Sequence, residues 1–264
     1  MSEETRPVPF RGGGFRPGTA RWAAPALFLL ILLVWEAGTR SGVISNLTLP
    51  KPSDVGLTLW RLAETGLLLQ HLVPSVSRLV AGAAMGIAAG IAVGVTIGLF
   101  TLARAGLAPL VAAIFPIPKI ALLPLFVIWF GIGEGSKYAL IAFGAFTPTV
   151  VATWGAVDNV DRTLIRMGQS FGMPWGRIVA QIVMPAALPG ILSGLRVSLA
   201  ISIILLVAAE MLGAEYGIGA YILEAGALYD LERLFAGVLL LSLLGLVVSA
   251  GVGALEKRLL AWRN

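Results

Sequence analysis

The chain has 264 residues, of which 58% are hydrophobic and 12% are charged, and its apolar residues form long runs such as the uncharged one from Leu79 to Phe100. This excludes an ordinary soluble domain and indicates a membrane protein with several spans. The absence of cysteine and the single histidine, His71, exclude disulfides and argue against metalloenzymes. In a membrane protein, the net charge of +5 reports the orientation of the chain in the membrane before it reports any anionic partner.

The N-terminal residues 1–21 are rich in Arg, Pro and Gly and lack a long apolar core. This composition predicts a disordered cytoplasmic tail. The apolar stretch that follows has the length of a signal-peptide core. Because it is not followed by a small-x-small cleavage site and a soluble domain, it is interpreted as an uncleaved first span.

Six segments reach the length of about 20 apolar residues that a membrane-crossing helix needs. They are residues 22–38, 76–100, 106–131, 137–157, 188–213 and 234–255. The third segment contains Pro109, Pro116, Pro118 and Pro124, each of which removes a backbone donor. Such breaks are tolerated where other protein or a wet cavity satisfies the freed groups, so this span is expected to be interior. The sequence therefore predicts an all-α integral membrane protein with one transmembrane domain, residues 22–264.

Basic residues predict the orientation of these spans, because Lys and Arg are enriched on the cytoplasmic side. If the N-terminus is cytoplasmic, the inner segments contain Arg6, Arg11, Arg16, Arg21, Arg104, Arg162, Arg166, Arg177, Lys257, Arg258 and Arg263. The outer segments then contain only Arg40, Lys51, Arg61, Lys137 and Arg233. We therefore expect a multi-pass membrane protein with both termini in the cytoplasm.

The outer segment from Thr39 to Ser75 contains "PSDVGLTLWRLAETGLLLQHL", in which apolar residues recur at roughly helical spacing. It predicts a short surface helix. The residues leave two interpretations open, a helix that lies at the membrane interface and a docking surface for an external partner.

Small and polar residues inside the spans suggest packing sites and a candidate path. Glycines every four residues along the second span allow two helix backbones to approach closely, and they are Gly82, Gly86, Gly90, Gly94 and Gly98. The fifth span carries Ser198, Ser202 and Glu210, and the third carries Lys119. Glu210 either makes a structural hydrogen bond or lies on a permeation path, and Lys119 either joins that path or extends to the cytoplasmic interface.

Residues 158–187 interrupt the apolar pattern between the fourth and fifth spans. The stretch "DNVDRTLIRMGQSFG" predicts a helix that ends at Gly172, and Met173 and Pro174 begin a second helical element. Apolar side chains with helical spacing follow, at Trp175, Ile178, Val179, Ile182 and Val183. The residues alone allow two functions, docking into another protein's groove or a self-packed connection between spans.

This segment resembles the EAA loop of the permease subunits of ATP-binding-cassette importers, whose pattern is Glu-Ala-Ala, three residues, Gly, nine residues, Ile, one residue, Leu-Pro. Here Gly172, Ile182 and Pro185 have that spacing. Two further stretches, "PIPKIALLPLFVIWFGIGEGSK" and "AAEMLGAEYGIGAYI", are similar to the nitrate, sulfonate and taurine branch of the family. The resemblance extends from about residue 46 to the C-terminus.

The resemblance implies a non-catalytic subunit of the bacterial inner membrane with the fold of a type I importer permease, which works as a homodimer. Two cytoplasmic ATPase subunits would bind ATP and Mg, the chain itself would bind no cofactor or nucleic acid, and a periplasmic or lipid-anchored binding protein would deliver a small anion such as nitrate, a sulfonate or taurine. The loop would couple this chain to the ATPase. Its candidate coupling residues are Arg166, Gly168, Gly172, Met173, Trp175, Arg177, Ile182 and Pro185.

The chain departs from the family pattern at the residues that give the loop its name. Arg166, Met167 and Gly168 occupy the Glu-Ala-Ala positions, and Met184 replaces the leucine. Arginine in place of glutamate inverts a charge. Either the partner ATPase carries a compensating acid or that contact is dispensable.

A secondary carrier and a membrane-embedded enzyme are the two alternative classes of function. The chain has no Gly-x-x-x-x-Gly-Lys-Ser/Thr stretch, so an ATP-driven process needs another chain. The alternative is a secondary carrier that is driven by an ion gradient, with Glu210 as the coupling carboxylate. A membrane-embedded enzyme is disfavoured because no acid, base and nucleophile cluster is visible.

Overall fold

A computed structural model describes residues 22–263, so the predicted tail, residues 1–21, lies outside the described residues. The α-helices are α1 (Ala23–Arg40), α2 (Pro52–Glu64), α3 (Leu67–Leu99), α4 (Thr101–Ile114), α5 (Leu123–Phe130), α6 (Glu134–Asp158), α7 (Arg162–Ser170), α8 (Trp175–Ile178), α9 (Met184–Met211), α10 (Ile218–Ala227) and α11 (Leu231–Leu259). Short 3-10 helices cover Lys119–Leu122 and Ala261–Arg263, and a π-helical turn covers Val179–Val183. The described residues form two compact units, which divide between Asp54 and Val55.

Five helices within residues 22–263 are long and apolar enough to cross a membrane. They are Ala23–Arg40, Leu67–Leu99, Glu134–Asp158, Trp175–Met211 and Leu231–Leu259. A sixth span is obtained if the bent pair Thr101–Ile114 and Lys119–Phe130 counts as one. This confirms the prediction of an all-α membrane fold.

In the first unit, α1 exposes apolar side chains around most of its surface, which is typical of a helix in contact with lipid. Its one acid, Glu36, lies near its end. The Glu36 carboxylate accepts hydrogen bonds from Arg40 at 2.5 Å and from the backbone N–H and the hydroxyl of Ser53 at 3.1 and 2.9 Å. These contacts fix the connection between α1 and the start of α2.

In the second unit, α6 packs against α3 on one side and α9 on the other. The glycine stripe of α3 faces α6, since a Cβ atom added at each of its five glycines would lie 2.1 to 2.8 Å from an α6 atom. On the other side, Gly144 meets Leu205, and Gly190 and Gly194 meet Ala156 and Ala152. Because these helices touch through backbone and small side chains, they form a close-packed, rigid core.

The third predicted span, residues 106–131, corresponds to two helices that are separated by a break at the prolines. The two helices of this region meet at 91°. The first ends at Ile114, before Pro116, and Pro118 is in an extended conformation before the second begins. Pro124 lies in the first turn of α5, where its missing N–H removes no helical hydrogen bond.

The fifth predicted span begins earlier than residue 188. The second element of the loop continues into it, so that one helix extends from Trp175 to Met211. Pro185 lies in the first turn of α9 and cannot donate to the turn before it. The π-helical turn Val179–Val183 lies directly upstream, and the chain passes this point without a break.

Candidate coupling loop and ionic cluster

The loop between α6 and α9 begins with a well-defined helix. The Asp161 carboxylate accepts a hydrogen bond from the Thr163 N–H at 2.8 Å, and hydrogen bonds from Thr163 lower the pKa of the Asp161 carboxyl. At the other end Gly172 has a φ of +70°, and the N–H groups of Gly172 and Met173 bond to the carbonyls of Gln169 and Gly168. These two bonds form a Schellman motif, which ends α7 where the sequence predicts.

The inner face of the loop packs against the helices. Val160, Ile178 and Val183 are buried together with residues of α6 and α9. Gly168 is also buried, and a Cβ added there would lie 2.8 Å from the Cδ1 atom of Ile182. The space that an alanine would use at this family position is therefore taken by Ile182.

The outer face of the loop leaves large apolar side chains in contact with solvent. Phe171 is 78% exposed, Trp175 is 58% exposed, and Met167 is 49% exposed. Arg166 and Arg177 are exposed beside them and form no ion pair with any residue in the range 22–263. Exposed aromatic, methionine and arginine side chains are typical of a surface that binds another protein.

The eight predicted coupling residues divide between these two faces. Arg166, Gly172, Trp175 and Arg177 are exposed, whereas Gly168 is buried and Met173, Ile182 and Pro185 are half-buried. The first four are available to a partner. The last four hold the loop in shape from within.

A buried ionic cluster lies at the other end of α9, around Glu210. The Glu210 side chain is completely buried, and its Oε1 atom accepts hydrogen bonds from the Ser75 hydroxyl at 2.7 Å and from Arg78 at 2.8 Å. Its Oε2 atom accepts from the Gly219 N–H at 2.8 Å. Both carboxylate oxygens are therefore satisfied by the protein, as a buried charge requires.

Arg78 connects this buried carboxylate to a second, more exposed one. Its Nε and Nη2 atoms donate to the two carboxylate oxygens of Glu134, both at 2.7 Å, and its Nη1 atom also donates to the Tyr216 carbonyl at 2.6 Å. Lys137 lies 3.4 Å from the same Glu134 carboxylate. The ionic cluster thus pairs two cations with two acids, and it joins α3, α6 and α9.

The ionic cluster also holds the start of α10. Ser75 accepts a hydrogen bond from the Ile218 N–H at 2.8 Å, so Ser75 and Glu210 together satisfy two donors of the first turn. Gly217 has a φ of +150°, and a Cβ added there would lie 2.5 Å from the Glu210 carboxyl carbon. This explains why glycine stands at that position of the stretch "AAEMLGAEYGIGAYI".

Sequence reasoning singled out Glu210 and missed its partners. His71, Ser75 and Arg78 are spaced by four and three residues, so they share one face of α3. The His71 Nδ1 atom lies 3.1 Å from the Gly217 carbonyl oxygen. The helical spacing of these three polar residues beside an apolar run was the available signal.

The other candidate path residues lie apart from the ionic cluster. Ser198 and Ser202 are buried; the Ser198 hydroxyl lies 2.7 Å from that of Thr149, and Ser202 donates to the Ser198 carbonyl at 2.8 Å. Lys119 donates to the carbonyl of Phe115, just after α4 ends. Within residues 22–263, no group of three or more acids or histidines is placed to hold a metal ion.

Comparison with known proteins gives a consistent result. The family model described as "Binding-protein-dependent transport system inner membrane component" matches residues 82–261. A protein of Bacillus subtilis (strain 168) named putative aliphatic sulfonates transport permease protein SsuC is 34% identical over 252 residues, which is 94% of this chain and 91% of the relative. The taurine transport system permease protein TauC of Escherichia coli (strain K12) is 34% identical over 240 residues, 89% of this chain and 87% of the relative.

Solved structures show the same fold. A structure of the MetNI methionine ABC transporter has a TM-score of 0.65 at 20% identity, and the match covers 75% of this chain and 98% of that one. An amino acid ABC transporter has a TM-score of 0.61 at 15% identity, with 76% and 97% covered.

Proposed function

Because this chain belongs to the family of binding-protein-dependent transport system inner membrane components and is a non-catalytic permease subunit of an ABC importer, we propose that it carries small organic anions, with sulfonates and taurine as the leading candidates. Two curated relatives that it matches over most of their length are named for aliphatic sulfonate and taurine transport. The observation that carries the coupling to an ATPase is the loop: its inner face is packed against the helices, and its outer face presents apolar side chains and two arginines that form no ion pair within residues 22–263.

The partner at this outer face is an ATPase subunit. The chain lacks a phosphate-binding Gly-x-x-x-x-Gly-Lys-Ser/Thr stretch, so ATP and Mg are bound elsewhere. Leu164 and Met167 of α7 and Phe171, which directly follows it, are spaced by three and four residues and are exposed. An apolar stripe with this spacing suits docking into a groove of another protein.

A single helix supports a mechanical link between the two ends of the molecule. The helix from Trp175 to Met211 has 37 residues, which is about 55 Å at 1.5 Å per residue. Trp175 lies at the end where the ATPase docks, and Glu210 lies at the other end. Because a packed helix moves as a rigid body, displacement of the loop by the ATPase is transmitted to the ionic cluster.

The proposed topology places the loop in the cytoplasm and the ionic cluster at the outer face, as the distribution of basic residues favours. A second copy of the chain completes the path, and two ATPase subunits bind the two loops. An extracytoplasmic binding protein delivers the anion to the outer face. Solute selection rests mainly with that binding protein.

The bonding of Glu210 argues against the secondary-carrier alternative. A coupling carboxylate must exchange a proton or ion with a water-filled path. Glu210 is instead completely buried, bonded at both oxygens, and occupied in capping α10. We therefore assign it a structural role, and the driving energy comes from ATP in a partner chain.

Reconstitution tests this function directly. The chain is placed in proteoliposomes with its ATPase and binding protein, and uptake of radiolabelled taurine and ethanesulfonate is measured with ATP inside. We expect uptake that requires ATP and the ATPase and that survives an uncoupler. Uptake by the chain alone, abolished by the uncoupler, would establish a secondary carrier instead.

A further inference from the structure

A crevice of about 370 Å³ lies between the loop and the turn that joins α3 to α4. Its floor includes the buried side chains of Val160, Ile178 and Val183. Its walls come from three separate parts of the chain, the end of α6, the first helix of the loop and the start of α4. A concave space of this volume with an apolar floor is within the range of small-molecule sites.

The mouth of this crevice carries more positive than negative charge. Arg104 extends from α4, and its guanidinium lies 2.5 Å from the Asp158 carboxylate. Arg162, the first residue of α7, also lines the crevice and is exposed. Arg162 pairs with no acid in the described range, so the lining of the crevice contains two guanidinium groups and one carboxylate.

We infer that this crevice binds an organic anion with a sulfonate or phosphate group and a short apolar portion. The guanidinium groups of Arg104 and Arg162 match the geometry of such an acid group, which accepts several hydrogen bonds from arginine. The apolar portion covers the floor around Val160 and Ile178. An inorganic anion would leave that floor in contact with water, and a cation would meet the excess positive charge.

Bound in this way, the anion links the loop to the helix core, because Arg162 belongs to α7 and Arg104 to α4. This consequence rests on the proposed function, in which the loop transmits movement of the ATPase. A ligand that bridges the two arginines holds the loop in place and slows transport. The imported organic anion therefore limits its own uptake from the cytoplasmic side.

Binding is tested on the full-length chain in nanodiscs of zwitterionic lipid, by isothermal titration with 1-propanesulfonate. We expect saturable binding, about tenfold weaker for methanesulfonate, which lacks two methylene groups. Arg162→Ala should weaken binding about tenfold or more, through loss of a charge-assisted hydrogen bond. Arg177→Ala is the matched control: it removes an exposed loop arginine that does not line the crevice, and binding should change less than twofold.

Absence of saturable binding, or an equal loss in Arg162→Ala and Arg177→Ala, would overturn the site. A second titration in nanodiscs with an anionic phospholipid identifies the source of the acid group. If the anionic phospholipid competes with 1-propanesulfonate and this competition depends on Arg162, the site is supported with a lipid headgroup as its occupant. If the competition is the same in Arg162→Ala, the site is contradicted.

The effect on transport is measured in proteoliposomes that are preloaded with 1-propanesulfonate. We expect slower ATP-driven uptake in the wild type than in Arg162→Ala. Equal uptake in both would refute the inhibition. Loss of ATP-driven uptake without preloading would instead contradict the proposed function, and the binding result on the isolated chain would stand independently.

Discussion

The two ends of the helix from Trp175 to Met211 differ in whether the charged side chains there form ion pairs within the chain. At the Glu210 end, Arg78, Glu134 and Lys137 pair with one another and with Glu210 inside the chain. At the Trp175 end, Trp175 contacts the ring of Phe100 but is mostly exposed, and the exposed Arg166 and Arg177 form no ion pair within residues 22–263. The difference separates a part of the molecule whose charges are paired within the chain from a part at which we propose that another protein binds.

The largest effect on stability is expected at the ionic cluster. Arg78→Ala leaves the buried Glu210 carboxylate without its cation, and breaking a buried pair in this way costs about 3–5 kcal/mol. The free energy of unfolding in detergent, followed by tryptophan fluorescence during denaturant titration, measures this loss. Arg177→Ala removes an unpaired arginine from the other end, and its effect should stay within about 0.5 kcal/mol. Equal effects of the two substitutions would remove the contrast between the two ends.

The close contact of α3 with α6 gives the next largest effect. A Cβ at Gly86 would lie 2.1 Å from the Ala142 carbonyl oxygen, and this backbone atom cannot move aside easily. We expect Gly86→Ala to lower the free energy of unfolding by about 1–3 kcal/mol, as overpacking does. Gly106→Ala in α4 is the control, since a Cβ there meets no atom within 4 Å. It should be neutral or should stabilise by about 0.5–1 kcal/mol, and destabilisation of the same size would show that the effect is not one of packing.

A smaller effect is expected where the loop turns. Gly172 has a φ of +70°, which costs a residue with a side chain about 1–2 kcal/mol. Gly172→Ala should lower stability by that amount, in the same unfolding assay, and loosen the Schellman motif. Gly176→Ala lies nearby in α8 with open space around it and should cause no loss. If both variants are unchanged, the end of α7 does not depend on the left-handed conformation.

Local patterns predicted much of the fold. The apolar runs gave the spans because a helix in lipid must be apolar over about 20 residues. The end of α7 at Gly172 and a close-packing stripe of glycines on α3 could be predicted because each depends on residues that are near one another in sequence. The identity of the neighbour, α6, could not.

Contacts between distant residues were not predictable in the same way. Arg78 is separated from Glu134 by 56 residues and from Glu210 by 132, and no local pattern pairs them. The bend after Ile114 and the continuous helix from Trp175 depend on how the chain accommodates particular prolines. The third span is broken near Pro116. The fifth span continues past Pro185, where a π-helical turn directly precedes the proline.

One measurement tests the central claim that the exposed face of the loop binds the ATPase: co-purification of the ATPase with Trp175→Glu and with Trp60→Glu. Both tryptophans are mostly exposed, at 58% and 64%, and they lie on opposite predicted sides of the membrane. We expect Trp175→Glu to lose the ATPase while its unfolding free energy stays within about 0.5 kcal/mol of the wild type, and Trp60→Glu to retain it. Full retention of the ATPase by Trp175→Glu, or equal loss in both variants, would contradict the claim.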